Sequence, residues 1–463
     1  MLDRVHFIGI GGSGLSAIAR LLAESGVTVT GSDRALSPLA QELQAAGIRV
    51  SLGHAPENIA GASIVVRSSA VPDNNVEVIA ARQAGIPVLK RADFLGRLME
   101  NRVCIAVAGT HGKTTTTAMI AWMLTRLQQD PSYIIGGVST NLGNNAHAGN
   151  GAAFVIEADE YDRMFLGLSP RLALVTYLEH DHPDCYPAFG DYRQAFVDFI
   201  HRVQPGGTLF VCADQPVTAA LAGEVSSGVE TFTFALHTSA SYTLQGLGTN
   251  AAGGSTGSAC FTPAGAPNLP LGQLDLQVPG EHNASNALAA LAVAHRMGLS
   301  TTHAAAALNA FQGTGRRFEL RAEINGITLI DDYAHHPTEI RSTLAAARAR
   351  YPQHRIWAVW QPHTYSRTQA LMPEFAASFA QADRVIVMEV YAAREKNDTF
   401  SSAVIVPQMQ HPGAVFISTL EAVSRHLSTA LQPGDVVLVL SAGDADQVNT
   451  QVLADLSRQS RSG

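Results

Sequence analysis

The sequence predicts a three-domain α/β protein: a Rossmann-like N-terminal domain, a P-loop ATPase-like centre and a Rossmann-like C-terminal domain. Three observations carry this. Short apolar runs alternate with helix-like stretches, the pattern of parallel sheets with covering helices. The 463 residues correspond to roughly three domains at about 150 residues each. Two strand-to-helix turns rich in glycine, at 9–14 and 109–114, each follow an apolar run. The expected units are 1–98, 99–314 and 315–463.

VHFIGI (5–10) reads as a buried strand running into Gly9-x-Gly11-x-x-Gly14 and a helix from Leu15 to Glu24. VTVTGSD (27–33), IRVSLG (48–53), SIVVRSSA (63–70) and IPVLK (86–90) continue the first unit as strands. The second opens with VCIAVAGT (103–110), a glycine turn and a helix over 114–127. FVIEADE (154–160), LALVTYLEHD (172–181) and GTLFVCAD (207–214) are strands ending in acidic residues or histidine. Segment 237–272 is nearly uncharged and rich in Gly, Ser, Thr, Ala and Pro, and reads either as a mobile linker or as an antiparallel β excursion. A helix over 283–297 follows. The third unit has strands at 327–334, 355–361, 384–390, 414–418 and 435–444.

Composition excludes several classes. Hydrophobic residues at 46% are enough for real cores and rule out global disorder. A net charge of -8 speaks against a general nucleic-acid or anionic-membrane binder. Cys104, Cys185, Cys212 and Cys260 form no C-x-x-C pair, so they read as free thiols in a reducing cytosol. Neither a signal peptide nor an apolar run of about 18 residues is visible, and a cytoplasmic protein is expected.

The sharpest motif is AGTHGKTTTT (108–117). Glycines let backbone N–H groups approach phosphate oxygens, and the helix start adds positive potential. Lys113 would reach the β- and γ-phosphates and the Thr114 hydroxyl would bind Mg²⁺. Val107 stands where the usual pattern has its first glycine, so this loop is short. Glu157-Ala158-Asp159-Glu160 ends a strand beside the loop, where a Mg²⁺ ligand belongs. His182, flanked by Asp181 and Asp184, ends the next one. Gly9, Gly11 and Gly14, with Asp33 about twenty residues on, form a diphosphate-type fingerprint that does not by itself establish NAD. Arg316-Arg317-Phe318-Glu319, the run Asp331 to Pro337, and Gln361-Pro362-His363 with Arg367 cluster at strand ends of the third unit, which favours a ligand crevice.

Together these residues resemble the Mur ligases, the ATP-dependent amino-acid ligases of peptidoglycan precursor synthesis. HFIGIGGSG (6–14), AGTHGKTTTT, EADEYD (157–162), GEHNASNALAALA (280–292), RRFE, DDYAHHP, QPHTYSRT (361–368) and SAGD (441–444) carry the likeness across nearly the whole chain. The resemblance implies that Gly109, Thr110, His111, Gly112, Lys113, Thr114 and Thr115 bind ATP phosphates, with Asn283 and Asn286 near the adenine. It implies Arg317 and Asp332 at the phosphate and ribose, and Thr114, Glu157 and His182 as ligands of Mg²⁺ or Mn²⁺. Gly9, Gly11, Gly12, Ser13, Gly14, Asp33, Ser68 and Ser69 would hold a uridine sugar nucleotide. His335 and Arg367 would face the acceptor amino acid. Thr364 stands where some members carry Arg, Ser441 opens SAGD where GAGD is usual, and Tyr161 stands where Ser is common.

The implied reaction joins L-alanine to the lactyl carboxylate of UDP-N-acetylmuramate through an acyl phosphate, by a monomer or weak homodimer. Lys113 would stabilise phosphoryl charge and His335 would take the amine proton. Three other readings stand beside it. A recycling ligase that adds a preformed tripeptide to the same sugar nucleotide would read alike in its first two domains. A dinucleotide-dependent oxidoreductase would use the first glycine motif but leaves the GKT loop without a role. A non-catalytic nucleotide switch leaves the polar strand ends unexplained.

Overall fold

The computed structural model describes residues 3–251, 253–393, 395–396 and 399–462, apart from the side chains of Ser13 and of residues 460–462. Three separate sheets organise the chain, each laid down by consecutive strands.

Strands β1 (Arg4–Ile8), β2 (Thr28–Asp33), β3 (Arg49–Leu52), β4 (Ile64–Arg67) and β5 (Val88–Lys90) form an all-parallel sheet in the order β3-β2-β1-β4-β5. Side chains alternate faces along each strand. Val5, Phe7, Ile64 and Val66 enter one core, while Ile8 and Val65 enter the other. The order reverses between β1 and β4, so a crevice opens beyond their carboxyl ends.

Beneath this crevice lies a buried carboxylate. Glu77 accepts from the Ser32 hydroxyl (2.6 Å), the Asn58 amide (2.6 Å) and the Ala55 backbone N–H (3.2 Å), with His6 and His54 each 3.5 Å away. Burial alone would raise its pKa, but the hydrogen bonds from His6, Ser32 and Asn58 outweigh it and hold the carboxyl near about 2. A depressed carboxylate stabilises the fold above its unfolded pKa, 4.5, and that contribution disappears as pH falls through 2. Glu77→Gln is therefore expected to lower the melting midpoint at pH 7. The gap to wild type should close between pH 4.5 and 2, read by calorimetry on both proteins. A constant gap across that window would mean that the charge contributes nothing.

The central sheet has ten strands: β6 (Val103–Ala108), β7 (Ser132–Ile134), β8 (Ala146–His147), β9 (Ala153–Glu157), β10 (Leu172–Val175), β11 (Thr208–Cys212), β12 (Glu230–Ala235), β13 (Tyr242–Thr249), β14 (Gly254–Phe261) and β15 (Leu269–Pro279). Their order is β15-β14-β13-β12-β11-β10-β6-β9-β7-β8. Strand β6 therefore lies between β10 and β9, and all three run parallel. The segment left open between linker and β excursion is the antiparallel array β13–β14–β15. Alternation explains it: Leu274, Leu276 and Val278 are buried while Asp275 and Gln277 face outward. Helices Lys113–Arg126 and Glu281–Arg296 share the core on one face of this sheet, where a run of alanines lets the second approach closely.

The expected strand over 172–181 is shorter than its apolar run. Its ladder ends at Val175, because Thr176 turns over the glycine loop of β6. The Thr176 hydroxyl donates to the carbonyls of Ala108 and His111, and Thr110 N–H donates to Tyr177 O at 2.7 Å.

The third sheet comprises β16 (Glu319–Ile324), β17 (Ile327–Asp332), β18 (Arg355–Gln361), β19 (Arg384–Val387), β20 (Ala414–Phe416) and β21 (Asp435–Ser441), in the order β16-β17-β21-β18-β19-β20. Only β16 is antiparallel. Strands β18 and β21 are covered on both faces and so read as nearly unbroken apolar runs, and β17 ends its run at Asp331 and Asp332. All four cysteines are free thiols. Among the described residues no helix is long and apolar enough to cross a membrane.

Candidate functional site

The site grows from the end of β6. Gly112 caps helix Lys113–Arg126 in the left-handed region (φ 80), and a Cβ there would fall 2.7 Å from Asn286 Oδ1. Only glycine satisfies both demands. Lys113 folds back over the loop, its ammonium 2.5 Å from Gly109 O, 3.2 Å from Thr110 O and 2.9 Å from Glu160 Oε1. Burial would lower its pKa, but Glu160 and Glu157 outweigh that and raise it, so it is a cation.

Two carboxylates frame this cation. Glu157, at the end of β9, accepts from Gly136 N–H at 2.8 Å and from the Thr114 hydroxyl. Burial pushes its pKa up, against Lys113 and Thr114. Glu160 is fully buried and also bonds the Tyr192 hydroxyl at 3.2 Å. His182 adopts a left-handed backbone (φ 55) that aims its Nε2 at Glu160, 3.6 Å away. The structure thus sets Thr114 beside Glu157, and His182 beside Glu160. Motif reading passed over Glu160, although it closes the EADE run.

The β10–Thr176 turn carries a second polar row, Glu179 to His182, against the C-terminal domain. His111 sits between two carboxylates: its Nδ1 is 3.2 Å from Glu339 Oε1, and its Nε2 bonds Glu179. Burial alone would lower the His111 pKa, but those two bonds raise it to about 9. His336, the N-cap of helix Pro337–Arg350, reaches Glu179 at 3.1 Å. Arg317 bonds Glu339 at 3.4 Å. Arg367 and Asp181 are each 4% exposed and form a two-point pair, with Nε and Nη2 both 2.8 Å from Oδ1. Asp181 also accepts from its neighbour's backbone, His182 N–H, at 2.7 Å.

Between the two domains lies a cavity of about 320 Å³. Among the residues expected to bind nucleotide, His111, Gly112, Thr114, Thr115, Asn283, Asn286, Arg317 and Asp332 all line it. Gly109, Thr110 and Lys113 form the loop behind. Asp332 accepts from Phe318 N–H (2.8 Å) and Ala334 N–H (2.7 Å), and burial raises its pKa to about 6. His335 donates from Nδ1 to Tyr333 O at 2.9 Å, which leaves Nε2 as an acceptor. Burial, opposed by Glu339 and reinforced by Arg367, pushes His335 down to about 3.

Gly9, Gly11, Gly12, Gly14, Asp33, Ser68 and Ser69 gather separately, at the switch point of the first sheet. The Ser13 side chain lies outside the described residues. Asp33 Oδ2 accepts from Gly11 N–H at 2.8 Å, so this carboxylate shapes the loop. Ser68 faces Gly9 across the crevice, and Ser69 is exposed. Arg91, which no motif singled out, lies over the loop: a methyl group at Gly14 would overlap its guanidinium. Its Nη2 is 3.7 Å from Asp159, and its Nε is buried without a partner among the described residues. Arg91 thus stands between the glycine loop and the acidic strand end of the central domain.

Comparison with known proteins follows this layout. Residues 4–103 match the description "Mur ligase family, catalytic domain", residues 107–294 "Mur ligase middle domain" and residues 316–443 "Mur ligase, glutamate ligase domain". The chain is 41% identical to a UDP-N-acetylmuramate–L-alanine ligase of Roseiflexus castenholzii, covering 98% of this chain and 97% of the relative. It is 44% identical to the protein of that name from Acidobacterium capsulatum, with 96% of each covered. The UDP-N-acetylmuramate-alanine ligase structure from Thermotoga maritima superposes with a TM-score of 0.81 at 29% identity, over 99% of this chain and all of that one. A murein peptide ligase from Psychrobacter arcticus superposes at 0.73 and 27%, over 98% of both.

Proposed function

The chain belongs to the Mur ligase family, and from that premise we propose that it joins L-alanine to the lactyl carboxylate of UDP-N-acetylmuramate, with cleavage of ATP, in peptidoglycan precursor synthesis. The observation that carries this is a cavity lined from both sides, by the phosphate loop (His111, Gly112, Thr114) and by Arg317, Asp332 and Glu339 of the C-terminal domain. A ligase must present an activated acid to a second substrate, and a cleft between two domains does so.

In this reading Gly109 to Thr115 hold the ATP phosphates, Asn283 and Asn286 the adenine side, and Arg317 and Asp332 the phosphate and ribose. The oxygen donors Thr114 and Glu157 fit a hard cation such as Mg²⁺. His182 Nδ1 and Glu160 Oε2 are buried without a partner among the described residues, which leaves spare capacity in this group. That cation supplies charge neutralisation at the phosphoryl oxygens. Lys113 supplies a second fixed charge there. The lactyl carboxylate oxygen attacks the γ-phosphorus, the bond to the β-phosphate oxygen breaks, and ADP departs. The alanine amine attacks the acyl carbon, the C–N bond forms, and phosphate leaves.

Arg367 is positioned to meet the amino-acid carboxylate. His335 is neutral, and its Nε2 can accept a hydrogen bond from the amine and orient it. With its pKa held near 3 it is too weak a base to keep the proton at neutral pH, so the proton passes to the departing phosphate. The first domain holds the uridine diphosphate through Gly9–Gly14, Ser68 and Ser69, with Arg91 adding a cation. A cytoplasmic monomer or weak homodimer completes the reading.

Phosphate release is expected with UDP-N-acetylmuramate, ATP and L-alanine together. Omission of any one, or replacement of alanine by the tripeptide, should abolish it. Turnover with the tripeptide alone would transfer the assignment to the recycling ligase. Calorimetry is expected to show UDP-N-acetylmuramate binding and no NADH binding. Tight NADH binding with none for the sugar nucleotide would restore the oxidoreductase.

A further inference from the structure

We propose that His111, Glu179 and His336 form a binding site for a zinc-type divalent ion, distinct from the Thr114–Glu157–His182 group, that pins the C-terminal domain to the phosphate loop. One ligand atom from each residue lies within 4.8 Å of the others. Two imidazoles and one carboxylate are the donor set of open zinc sites, which keep a fourth position for water or a ligand. Imidazole suits zinc, whereas magnesium takes oxygen donors, so this cluster and the Thr114–Glu157 pair differ in the ion they select.

The surroundings fit this role. His111 Nδ1 faces Glu339 at 3.2 Å. An ion would displace the proton that His111 holds toward Glu179; the N–H still donated to Glu339 then leaves the Nε2 lone pair for the ion, the arrangement by which an outer carboxylate fixes a ligating histidine. His336 is 4% exposed and is held as the cap of helix Pro337–Arg350. Its Nδ1 accepts weakly from Thr338 N–H at 3.4 Å and also lies 3.1 Å from Glu179 Oε1. An ion between Nδ1 and the carboxylate would take the lone pair that now receives the long Thr338 contact. The His336–Glu179 separation of 3.1 Å is close to the edge of a tetrahedron, about 3.3 Å, built on metal–ligand bonds near 2.0 Å, whereas the direct His111–Glu179 contact is shorter and must open to admit an ion.

His111 and Glu179 belong to the central domain and His336 to the C-terminal one, so a bound ion crosslinks them. His111 also lines the nucleotide cavity.

The test uses full-length protein without nucleotide, in millimolar Mg²⁺ to occupy oxygen-donor sites, titrated with Zn²⁺ alone by calorimetry and with Co²⁺ alone by visible absorption. One ion per chain is expected, with a rise in melting midpoint. Glu179→Gln and His336→Asn should each weaken binding at least tenfold. Asparagine is itself a good helix cap, so the second variant keeps the fold, checked by circular dichroism. His182→Ala should leave binding unchanged. No binding by the wild type overturns the proposal. So does binding that survives His336→Asn but is lost in His182→Ala, because the ion then sits at the other group. None of these readouts requires ligase activity, so the result stands apart from the assignment of the reaction.

Discussion

Lys113→Ala abolishes ATP-dependent phosphate release while the fold persists: a loss on the order of 3 kcal/mol or more, roughly 150-fold or greater in rate, is expected. The ammonium is the one lysine charge at the mouth of the glycine loop. It lies 2.9 Å from Glu160 and within reach of the carbonyls of Gly109 and Thr110. Phosphoryl transfer spreads charge over oxygens that the protein must stabilise by fixed positive groups, and alanine removes one outright. It also strands the Glu160 carboxylate, fully buried, without its strongest partner. Glu160→Gln combined with Lys113→Ala relieves that stranding and should restore stability without restoring turnover. Phosphate release by the single variant within a few-fold of wild type would remove Lys113 from the reaction.

The second large effect is expected at Asp181. Its pair with Arg367 is two-point and buried, and removing one partner of such a pair costs about 3–5 kcal/mol because the other charge is left uncompensated. Asp181→Ala should therefore lower the melting midpoint, and kcat/KM for L-alanine should fall with it as the guanidinium loses its orientation. Arg367→Lys keeps the charge but loses the fork, and should raise the KM for L-alanine by at least about tenfold. The structure refines how that arginine works. Its Nε and Nη2 atoms are committed to Asp181, so in the proposed reaction a substrate carboxylate would meet Nη1, which lies 3.2 Å from His363 Nδ1. Thr364 cannot supply a second guanidinium. The KM for ATP should move little in either variant. Saturation curves for both substrates decide: an ATP KM that rises while the alanine KM stays put would assign Arg367 to the nucleotide.

What the amino-acid sequence determined by itself is local. Strands β1, β6, β17, β18 and β21 are buried on both faces, so their largely apolar sequences are legible. The loops at Gly9 and Gly112 announce themselves because a tight turn before a helix restricts residue choice over a few neighbours. Edge and short strands escaped: β7 and β8 have three and two residues, and β12 and β16 are half exposed, so neither length nor period marks them. Strand β10 was overextended because Thr176, Tyr177 and Leu178 are as strand-like as their neighbours, and only the loop they cover ends the ladder at Val175. Likewise Asp33 reads as part of the sugar-nucleotide fingerprint, and only the fold shows that its carboxylate accepts from the Gly11 N–H. The pairings that assemble the site had no local trace at all. Asp181 meets Arg367 across 186 residues and His111 meets Glu339 across 228. A carboxylate at a strand end has the same sequence signature whether it faces water, a metal ion or an arginine from another domain. Its partner is chosen by how the domains pack, and the desolvation that makes the pair strong exists only once they do.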